Sequence, residues 1–384
     1  MSPSVGLRTG SADLGAATAP VTIVRDFADP HLEMVRLLRE AAEVEHALMV
    51  QYLYAAFSVK GSEYPRVLGL PSAGATSLLG VAIQEMEHLH TVNQMLVAIG
   101  AAPGLVSQEF PYEPQIFPFP LHLEPLSQRA LAKYVFAEAP KSALDRDDPA
   151  NAGESGFLDL LFDLLDDLRP NQLGSLYGVL LKLCEEISQQ AMTDLPDLQP
   201  WMVKLEQIKE EGEGDHFRFF KELFLGVHQG FKGRPVWTLS TEDPQYPAFP
   251  ILVDPSAYEG HPLQIPDDAV RRVAFLGDVQ YWIVLMLLDL SYRQPDVAAY
   301  VTQAKKHMRF PMKELGIHLA SLGAGLPFDP LGMGYSPGVD RAGTLRLLRH
   351  LLGESQRLTV ELRASLPETY SSTTDDETLT ALPS

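Results

Sequence analysis

The sequence predicts an all-α protein, built as a four-helix bundle with additional C-terminal helices and long proline-rich loops. Apolar residues recur at spacings of three and four over most long segments, which is typical of helices with one buried face. Two connections, 101–125 and 226–266, are rich in proline and aromatic residues, and a regular helix does not survive that proline density. A bundle of helices covered by long loops accounts for both observations.

The composition is that of a globular protein with an excess of acidic side chains. The chain has 384 residues, of which 46% are hydrophobic and 21% are charged. Its 30 basic and 50 acidic residues give a formal net charge of −20, which argues against nucleic acids and anionic membranes as partners. We expect a small-molecule substrate as the partner, and the sequence leaves open whether the chain forms a homodimer.

Cysteine usage and the pattern at the start of the chain predict a cytoplasmic protein. Cys184 is the single cysteine, so no intramolecular disulfide can form. Residues 1–30 lack the charged start followed by an apolar stretch that a secretory signal shows. The most apolar run, 282–288, is too short to span a membrane and is typical of a buried helix.

The periodic segments and their breakers give the order of the elements. Helices are expected at about residues 30–59, 78–99, 126–139, 156–168, 171–192, 201–225, 267–293, 297–322 and 342–365. We divide the chain into a flexible arm, a helical bundle, a C-terminal helical extension packed on the bundle and a disordered tail, at 1–28, 29–235, 236–366 and 367–384.

The helix at 78–99 carries a carboxylate and an imidazole on its apolar face. Glu85 and His88 are three residues apart, so their side chains project side by side among the apolar positions. On an inward face they must be paired, hydrogen-bonded or bound to a metal, because an unpaired buried charge is very unfavourable. Glu87 and His90 repeat the spacing on a more polar face, and we expect only the first pair to point inward.

The same kind of pattern occurs twice along the chain. Glu45 lies in the middle of the apolar stripe of the first helix, and Glu213 and His216 form a second Glu-x-x-His at the inward edge of 201–225. Gly212 and Gly214 flank Glu213, and two glycines inside a helix indicate a local distortion or a close backbone approach at a site.

A helix with Glu followed by a helix with Glu-x-x-His, repeated once, is the pattern of carboxylate-bridged two-metal sites in four-helix bundles. Carboxylates bridge and neutralise two divalent ions, and neutral imidazoles complete each coordination sphere. We therefore expect metal ligation by Glu45, Glu85, His88, Glu213 and His216, with one further carboxylate from the helix at 171–192. Iron is the expected metal, as a di-iron pair; manganese or a single ion remains open. No catalytic residue is assigned.

Several stretches also resemble one family. They are Glu45 with the run from Tyr52 to Ser58, the helix around Gln84 to His88 with Asn93 and Gly100, Phe136 to Pro140, and Glu211 to Gly214. Together they resemble the ferritin-like domain of iminophenyl-pyruvate dimer synthases, over roughly residues 30–235. The resemblance implies a ferritin-like bundle, metal-dependent oxidative chemistry and a role in specialised metabolism of the violacein or rebeccamycin type.

The third bundle helix departs from the family pattern. Ser175 stands where the family carries a carboxylate, and Glu186 lies on the same helix face about three turns later. Either Glu186 or Glu185 is the ligand in a shifted register, or the site has one carboxylate fewer. We take Glu186 as the predicted ligand. Tyr52 and Tyr177 are expected in the core beside the site, hydrogen-bonded to its carboxylates.

The function expected from these features is that of a metal-dependent, di-iron-type oxidoreductase acting on a small amino-acid-derived or aromatic molecule. The alternative is a non-catalytic ligand-binding or scaffold protein on a degenerate ferritin-like fold, which the serine at position 175 motivates. Metal storage is a third reading, and the large proline-rich insertions argue against it. The sequence does not name the substrate or indicate whether a haem or a partner enzyme is needed.

Overall fold

The protein is built from α-helices. The computed structural model describes residues 23–69, 77–105, 116, 119–166, 171–190, 195–292, 297–331 and 340–383. Within these ranges no β-strand is present, and extended pairing is limited to two isolated β-bridges. The predicted all-α class is confirmed. The helices are α1 Pro30–Ser58, α2 Pro65–Leu68, α3 Leu78–Ala98, α4 Gln128–Glu138, α5 Ser155–Leu164, α6 Leu173–Gln189, α7 Gln199–Glu211, α8 Phe217–Phe224, α9 Asp268–Ser291, α10 Val297–His307, α11 Lys313–Ser321, α12 Arg341–Glu361 and α13 Thr373–Ala381.

Four helical segments form the bundle. The first helix, α1, packs against α3 and α6, and α7 lies between α6 and α3, which closes the ring. The short helix α4 packs against α8 and brings its last residue, Glu138, to the inside of the bundle. The predicted ferritin-like four-helix bundle is therefore the architecture that the structure shows.

Local signals in the sequence set the ends of the two central helices. Asp29 caps α1 by accepting a hydrogen bond from the backbone of Leu32, and proline occupies the first helical position. Helix α3 ends at Gly100, where φ is +86° and the Gly100 and Ala101 amides donate to the carbonyls of Val97 and Leu96. This is the Schellman arrangement, which a glycine adopts without strain.

A π-helical segment, Gly212–His216, separates α7 from α8. Sequence reasoning predicted one continuous helix with a distortion at its two glycines, and the distortion is confirmed. In a π-helix the hydrogen bonds join residues five apart, so the helix face is shifted from that of an α-helix. A second π segment, Met308–Met312, contains Pro311 and separates α10 from α11.

The C-terminal helices pack around α9, and α11 reaches α1. The residues of α9 form an apolar stretch long enough to cross a membrane, but 94% of that stretch is buried inside the protein. It contacts α10, α11 and α12, as a core helix does. On α11, a Cβ added at Gly316 would lie 2.3 Å from the Phe57 ring of α1, so glycine permits this close approach.

The tail differs from the prediction of disorder over 367–384. Residues Thr373–Ala381 form α13, and its Asp375 and Thr378 side chains are buried. Asp375 accepts hydrogen bonds from Ser355 and Gln280, and Thr378 bonds to His307. The polar composition of the tail suggested a solvated segment, whereas these polar groups pair with a buried polar network on α9, α10 and α12.

The predicted arm and loops are only partly covered by the described residues. Residues 1–22 of the arm, 106–115 and 117–118 of the first proline-rich connection, and 384 in the tail lie outside them. The second connection, 226–266, contains only two short 3-10 turns, Gln229–Phe231 and Val236–Thr238. This agrees with its prediction as a loop.

Candidate metal centre

Five buried side chains from four elements meet inside the bundle. They are Glu45 on α1, Glu85 and His88 on α3, Glu138 at the end of α4 and His216 at the end of the π segment, and none is more than 4% exposed. They form two groups, Glu45–Glu85–His88 and Glu85–Glu138–His216, and in each group the three ligand atoms lie within 4.8 Å of one another. Glu85 belongs to both groups.

Glu85 lies between the two imidazoles. His88 Nδ1 is 3.0 Å from Glu85 Oε2, and His216 Nδ1 is 2.8 Å from Glu85 Oε1. Each carboxylate oxygen therefore faces one histidine. This arrangement suits a carboxylate that bridges two cations, each with an imidazole ligand.

The two outer carboxylates are arranged alike. Glu45 Oε2 lies 3.6 Å from His88 Nδ1, and Glu138 Oε1 lies 3.7 Å from His216 Nδ1. Each also accepts a hydrogen bond from a buried tyrosine: Tyr177 donates to Glu45, and Tyr52 donates to Glu138 at 2.6 Å. Such bonds fix the orientation of carboxylates at a metal site. Tyr52 and Tyr177 thus lie beside the site, as predicted.

Several ligand atoms in this cluster have no hydrogen-bond partner. Glu45 Oε2 and Glu138 Oε2 are buried and unsatisfied, and Glu85 Oε1 and His216 Nδ1 lie close together as an ion pair without forming a hydrogen bond. Buried polar atoms are almost always satisfied, and an unsatisfied one is destabilising by about 1–3 kcal/mol. Three carboxylates and two imidazoles that converge with unsatisfied atoms are a donor set that fits divalent metals.

Charges in the cluster are strongly coupled. Burial raises the pKa of Glu45 to about 8, although the neighbouring His88 imidazole opposes this. Burial would lower the pKa of His216, but the nearby Glu85 charge outweighs it and raises that pKa to about 10. Burial disfavours the charged form of Glu85 too, yet the two histidines hold the pKa of its carboxyl well below the usual range. Positive charge here is needed to balance buried carboxylates, and divalent cations would supply it.

The outer ring nitrogens of the two histidines have different partners. His88 Nε2 donates to Glu211 Oε2 at 3.0 Å, whereas His216 Nε2 donates to the neutral amide oxygen of Gln84 at 3.3 Å. Each bond holds its own imidazole so that Nδ1 faces Glu85. A partner of this kind orients a ligating histidine and raises its basicity.

The structure brings together four of the six predicted ligands: Glu45, Glu85, His88 and His216. Glu186 lies elsewhere, at the surface, where it forms an ion pair with Arg25 at 2.7 Å. No α6 carboxylate reaches the cluster: Glu185 is exposed and Ser175 is half-buried. The carboxylate expected from α6 is supplied by Glu138 of α4, and α6 contributes Tyr177 instead.

Glu213 is the other predicted ligand that lies outside the two groups. Its carboxylate is half-buried, 3.8 Å from Lys209 Nζ, and it lies against Gly174 of α6. The physical reason is the π segment: residues three apart share a face in an α-helix, but residues five apart stack in a π-helix. Glu211 and His216, which are five apart, therefore point toward the site.

Glu138 is the functional residue that sequence reasoning missed as a ligand. It lies three, four and seven residues after Val135, Tyr134 and Leu131, all buried, so it occupies the apolar face of α4. A carboxylate on an apolar face was the signal used for Glu45. The stretch Phe136 to Pro140 was noted for its resemblance only.

The alternative Glu-x-x-His pair has structural contacts. Glu87 forms an ion pair with Lys305. His90 Nδ1 is hydrogen-bonded to Ser291 Oγ at 3.0 Å, and its ring stacks on Tyr292. Neither belongs to the two groups of potential ligands among the described residues. The choice of Glu85 and His88 as the inward pair agrees with this placement.

Comparison with known proteins finds a domain model that matches the bundle. Residues 38–222 match the family model described as Ferritin-like, and this range contains all five clustered side chains.

The chain is 27% identical over 302 residues to a dichlorochromopyrrolate synthase from Lentzea aerocolonigenes. That match covers 73% of this chain and 27% of the relative, so the chain spans about a quarter of the relative's length. No solved structure matches the chain significantly. The all-α fold and the buried cluster agree with a ferritin-like domain over residues 38–222, and the predicted resemblance is confirmed.

Proposed function

We propose that the protein is a metal-dependent oxidoreductase whose ferritin-like domain holds two iron ions. The observation that carries this proposal is the pair of buried ligand groups that share Glu85. Two adjacent groups of carboxylate and imidazole donors, joined by one carboxylate, form the donor set of carboxylate-bridged two-metal sites. The ligand atoms that lack a hydrogen-bond partner, on three carboxylates and one imidazole, support occupancy by cations.

The ligand assignment follows from the two groups. Glu45 and His88 would hold one ion, Glu138 and His216 the other, and Glu85 would bridge them. When bound, a pair of redox-active metals would supply electrons for the reduction of dioxygen and would accept electrons from the substrate. Carboxylate and imidazole donors suit manganese as well as iron, so iron is part of the proposal.

The protein's own groups would position and insulate the centre. Tyr177 and Tyr52 hold the outer carboxylates in place, and Glu211 and Gln84 hold the two imidazoles. All five ligands lie within a buried core, which excludes bulk water from the ligand atoms. Because water is excluded, the oxidising centre would react with the substrate and side reactions with water would be suppressed.

The substrate class rests on similarity. The relative is named as a synthase of dichlorochromopyrrolate, and we infer a related biosynthetic role in specialised metabolism, with a small amino-acid-derived or aromatic substrate. Because the chain spans 27% of that relative, the reaction of this protein is proposed on its own site. We also propose a cytoplasmic location, where a centre with reduced iron and a free buried cysteine is compatible with the redox conditions.

The scaffold alternative is motivated by Ser175, which leaves α6 without the expected carboxylate. Glu138 of α4 supplies a third buried carboxylate at the same centre, and this supports the metal-centre proposal over that alternative. No described feature favours a second function over the metal centre.

Metal analysis tests the proposal. Protein produced with iron supplementation, or reconstituted anaerobically with Fe²⁺, is expected to hold about two iron ions per chain and to consume dioxygen after reduction. The Glu85→Ala variant is expected to lose both ions. The matched control is Glu87→Ala, because Glu87 lies on the same helix but outside the cluster. Less than about half an equivalent of any transition metal after reconstitution would overturn the proposal.

A further inference from the structure

The two halves of the centre are nearly equivalent in their inner contacts. Each half has an outer carboxylate that accepts a hydrogen bond from a tyrosine, and each has a histidine with Nδ1 toward Glu85. On these contacts alone, two cations would bind in similar surroundings. One inner difference is that Glu138 presents Oε1 to both Tyr52 and His216, whereas Glu45 presents one oxygen to Tyr177 and the other to His88. The difference in charge lies further out.

The difference lies at the outer nitrogens of the histidines. His88 donates to the carboxylate of Glu211, and His216 donates to the amide of Gln84, which carries no charge. The Glu211 carboxylate is held in place, because Gln207 donates to its other oxygen at 2.8 Å.

A charged partner changes what the imidazole does as a ligand. An N–H that donates to a carboxylate makes the opposite nitrogen more basic than one that donates to an amide, and the metal bond is correspondingly stronger. The extra negative charge beside His88 also attracts a cation to that half. Both effects act in the same direction, toward the half that contains Glu45 and His88.

We propose that the two metal positions are unequal and fill in order, with Glu211 as the positioning residue that makes the Glu45–Glu85–His88 position bind its cation first. This inference rests on the proposed metal centre and deepens it. Gln84, in the matching place on the other half, leaves the Glu85–Glu138–His216 position weaker.

Calorimetric titration of the metal-free 384-residue chain with Co²⁺, followed in parallel by the visible absorption of bound cobalt, tests this inference. Wild type is expected to bind two Co²⁺ ions in two steps whose dissociation constants differ by about tenfold or more. The His88→Ala variant should lose the tighter step, and His216→Ala the weaker one. These two variants identify which position each step belongs to.

Exchange of the outer partners is the decisive comparison. Glu211→Gln should weaken the first step by about 10–100-fold and bring the two steps together. Gln84→Glu should strengthen the second step and leave the first within about threefold. A general structural effect would instead weaken both steps equally, and circular dichroism and thermal unfolding of each variant would reveal it.

The outcomes separate this inference from the proposed function. Two steps of equal affinity, or a Glu211→Gln variant that changes neither step or both alike, would overturn the inequality while the metal centre stands. Failure of wild type to bind Co²⁺, Fe²⁺ or Mn²⁺ would overturn the metal centre and the inequality with it.

Discussion

At the residue scale, Glu85 and Glu45 have different positions in the cluster and should have different effects on metal content. Glu85 contributes an oxygen to each group of ligands, whereas Glu45 contributes to one. We expect Glu85→Gln to bind no metal and Glu45→Gln to retain about one ion per chain. Elemental analysis of reconstituted variants measures this, with Glu87→Gln as the control. Equal loss in the Glu85 and Glu45 variants would contradict a shared carboxylate.

The tyrosines beside the cluster predict a change in stability. Tyr177→Phe removes the donor to a buried oxygen of Glu45 and leaves that oxygen unsatisfied. We expect the free energy of unfolding to fall by about 1–3 kcal/mol, measured by urea denaturation. The control is Tyr134→Phe, because the hydroxyl of Tyr134 makes only a long bond of 3.4 Å to the Gln51 carbonyl. A smaller loss in Tyr177→Phe than in this control would contradict the assigned role.

How far the site could be predicted also differs from residue to residue. Glu45, Glu85 and His88 lie on regular α-helices, where spacing alone gives the face. The prediction of Glu186 rests on a carboxylate expected from the third bundle helix, because Glu186 lies on the same helix face as Ser175 about three turns later. The sequence gives no measure of how α4 crosses the bundle, so it did not indicate that Glu138 would fill that place.

At the element scale, the π segment decides which acidic residue reaches the site. Its glycines predicted a distortion, but the spacing rules for α-helices still assigned Glu213 rather than Glu211. A change from hydrogen bonds four residues apart to five apart is not encoded in hydrophobic periodicity. Packing accounts for the π segment instead: Gly212 lies against Glu138, and Glu213 lies against Gly174.

A methyl group added at Gly212 in the π segment should weaken metal binding without lowering the stability of the fold. A Cβ at Gly212 would lie 2.9 Å from Glu138 Oε2, so Gly212→Ala must displace a ligand. Alanine favours helix by about 1 kcal/mol over glycine, so we expect little loss of stability. We expect metal affinity to fall about tenfold or more by calorimetry.

Gly214→Ala is the matched control for this variant. It adds the same methyl group to the same segment, and nothing lies within 4 Å of the added atom. If both alanine variants bind metal like wild type, the contact between Gly212 and Glu138 does not matter for the site.

At the scale of the whole molecule, α13 is attached through a buried carboxyl group. Burial raises the pKa of Asp375 to about 6, against 3.8 for an exposed aspartate, and hydrogen bonds from Ser355 and Gln280 only partly oppose this. His307 Nδ1 is 3.8 Å away, and burial lowers the pKa of that histidine to about 3, so it stays neutral above that pH. The folded protein therefore binds a proton at Asp375 more tightly than the unfolded chain does.

This difference predicts how stability depends on pH. The stabilisation from protonated Asp375 is complete below about pH 4 and is lost as the pH rises to about 6. In Asp375→Asn this loss is absent, so its stability relative to wild type should increase by up to about 3 kcal/mol between pH 4 and 7. Urea unfolding at several pH values measures it, with Asp376→Asn as the exposed control. Parallel pH profiles of wild type and Asp375→Asn would contradict the prediction.

The polar network around α13 also explains why this helix was not predicted from the sequence. The helices of the bundle and extension were predicted because each carries its own apolar face. The tail has no such face, and its helix depends on Gln280, Ser355 and His307, which lie far away in the sequence. Sequence patterns report local burial, and they do not report a polar partner that another helix provides.

The position of α9 in the chain has a consequence for how the protein is made. This helix is apolar enough to enter a lipid bilayer, and one of the helices that cover it, α12, is synthesised after it. During translation the apolar α9 segment leaves the ribosome before α12, which packs against it, has been synthesised. Holdase chaperones that shield nascent chains should therefore improve its yield in a foreign host, and translation that pauses before residue 341 should promote aggregation or misdirection to membranes.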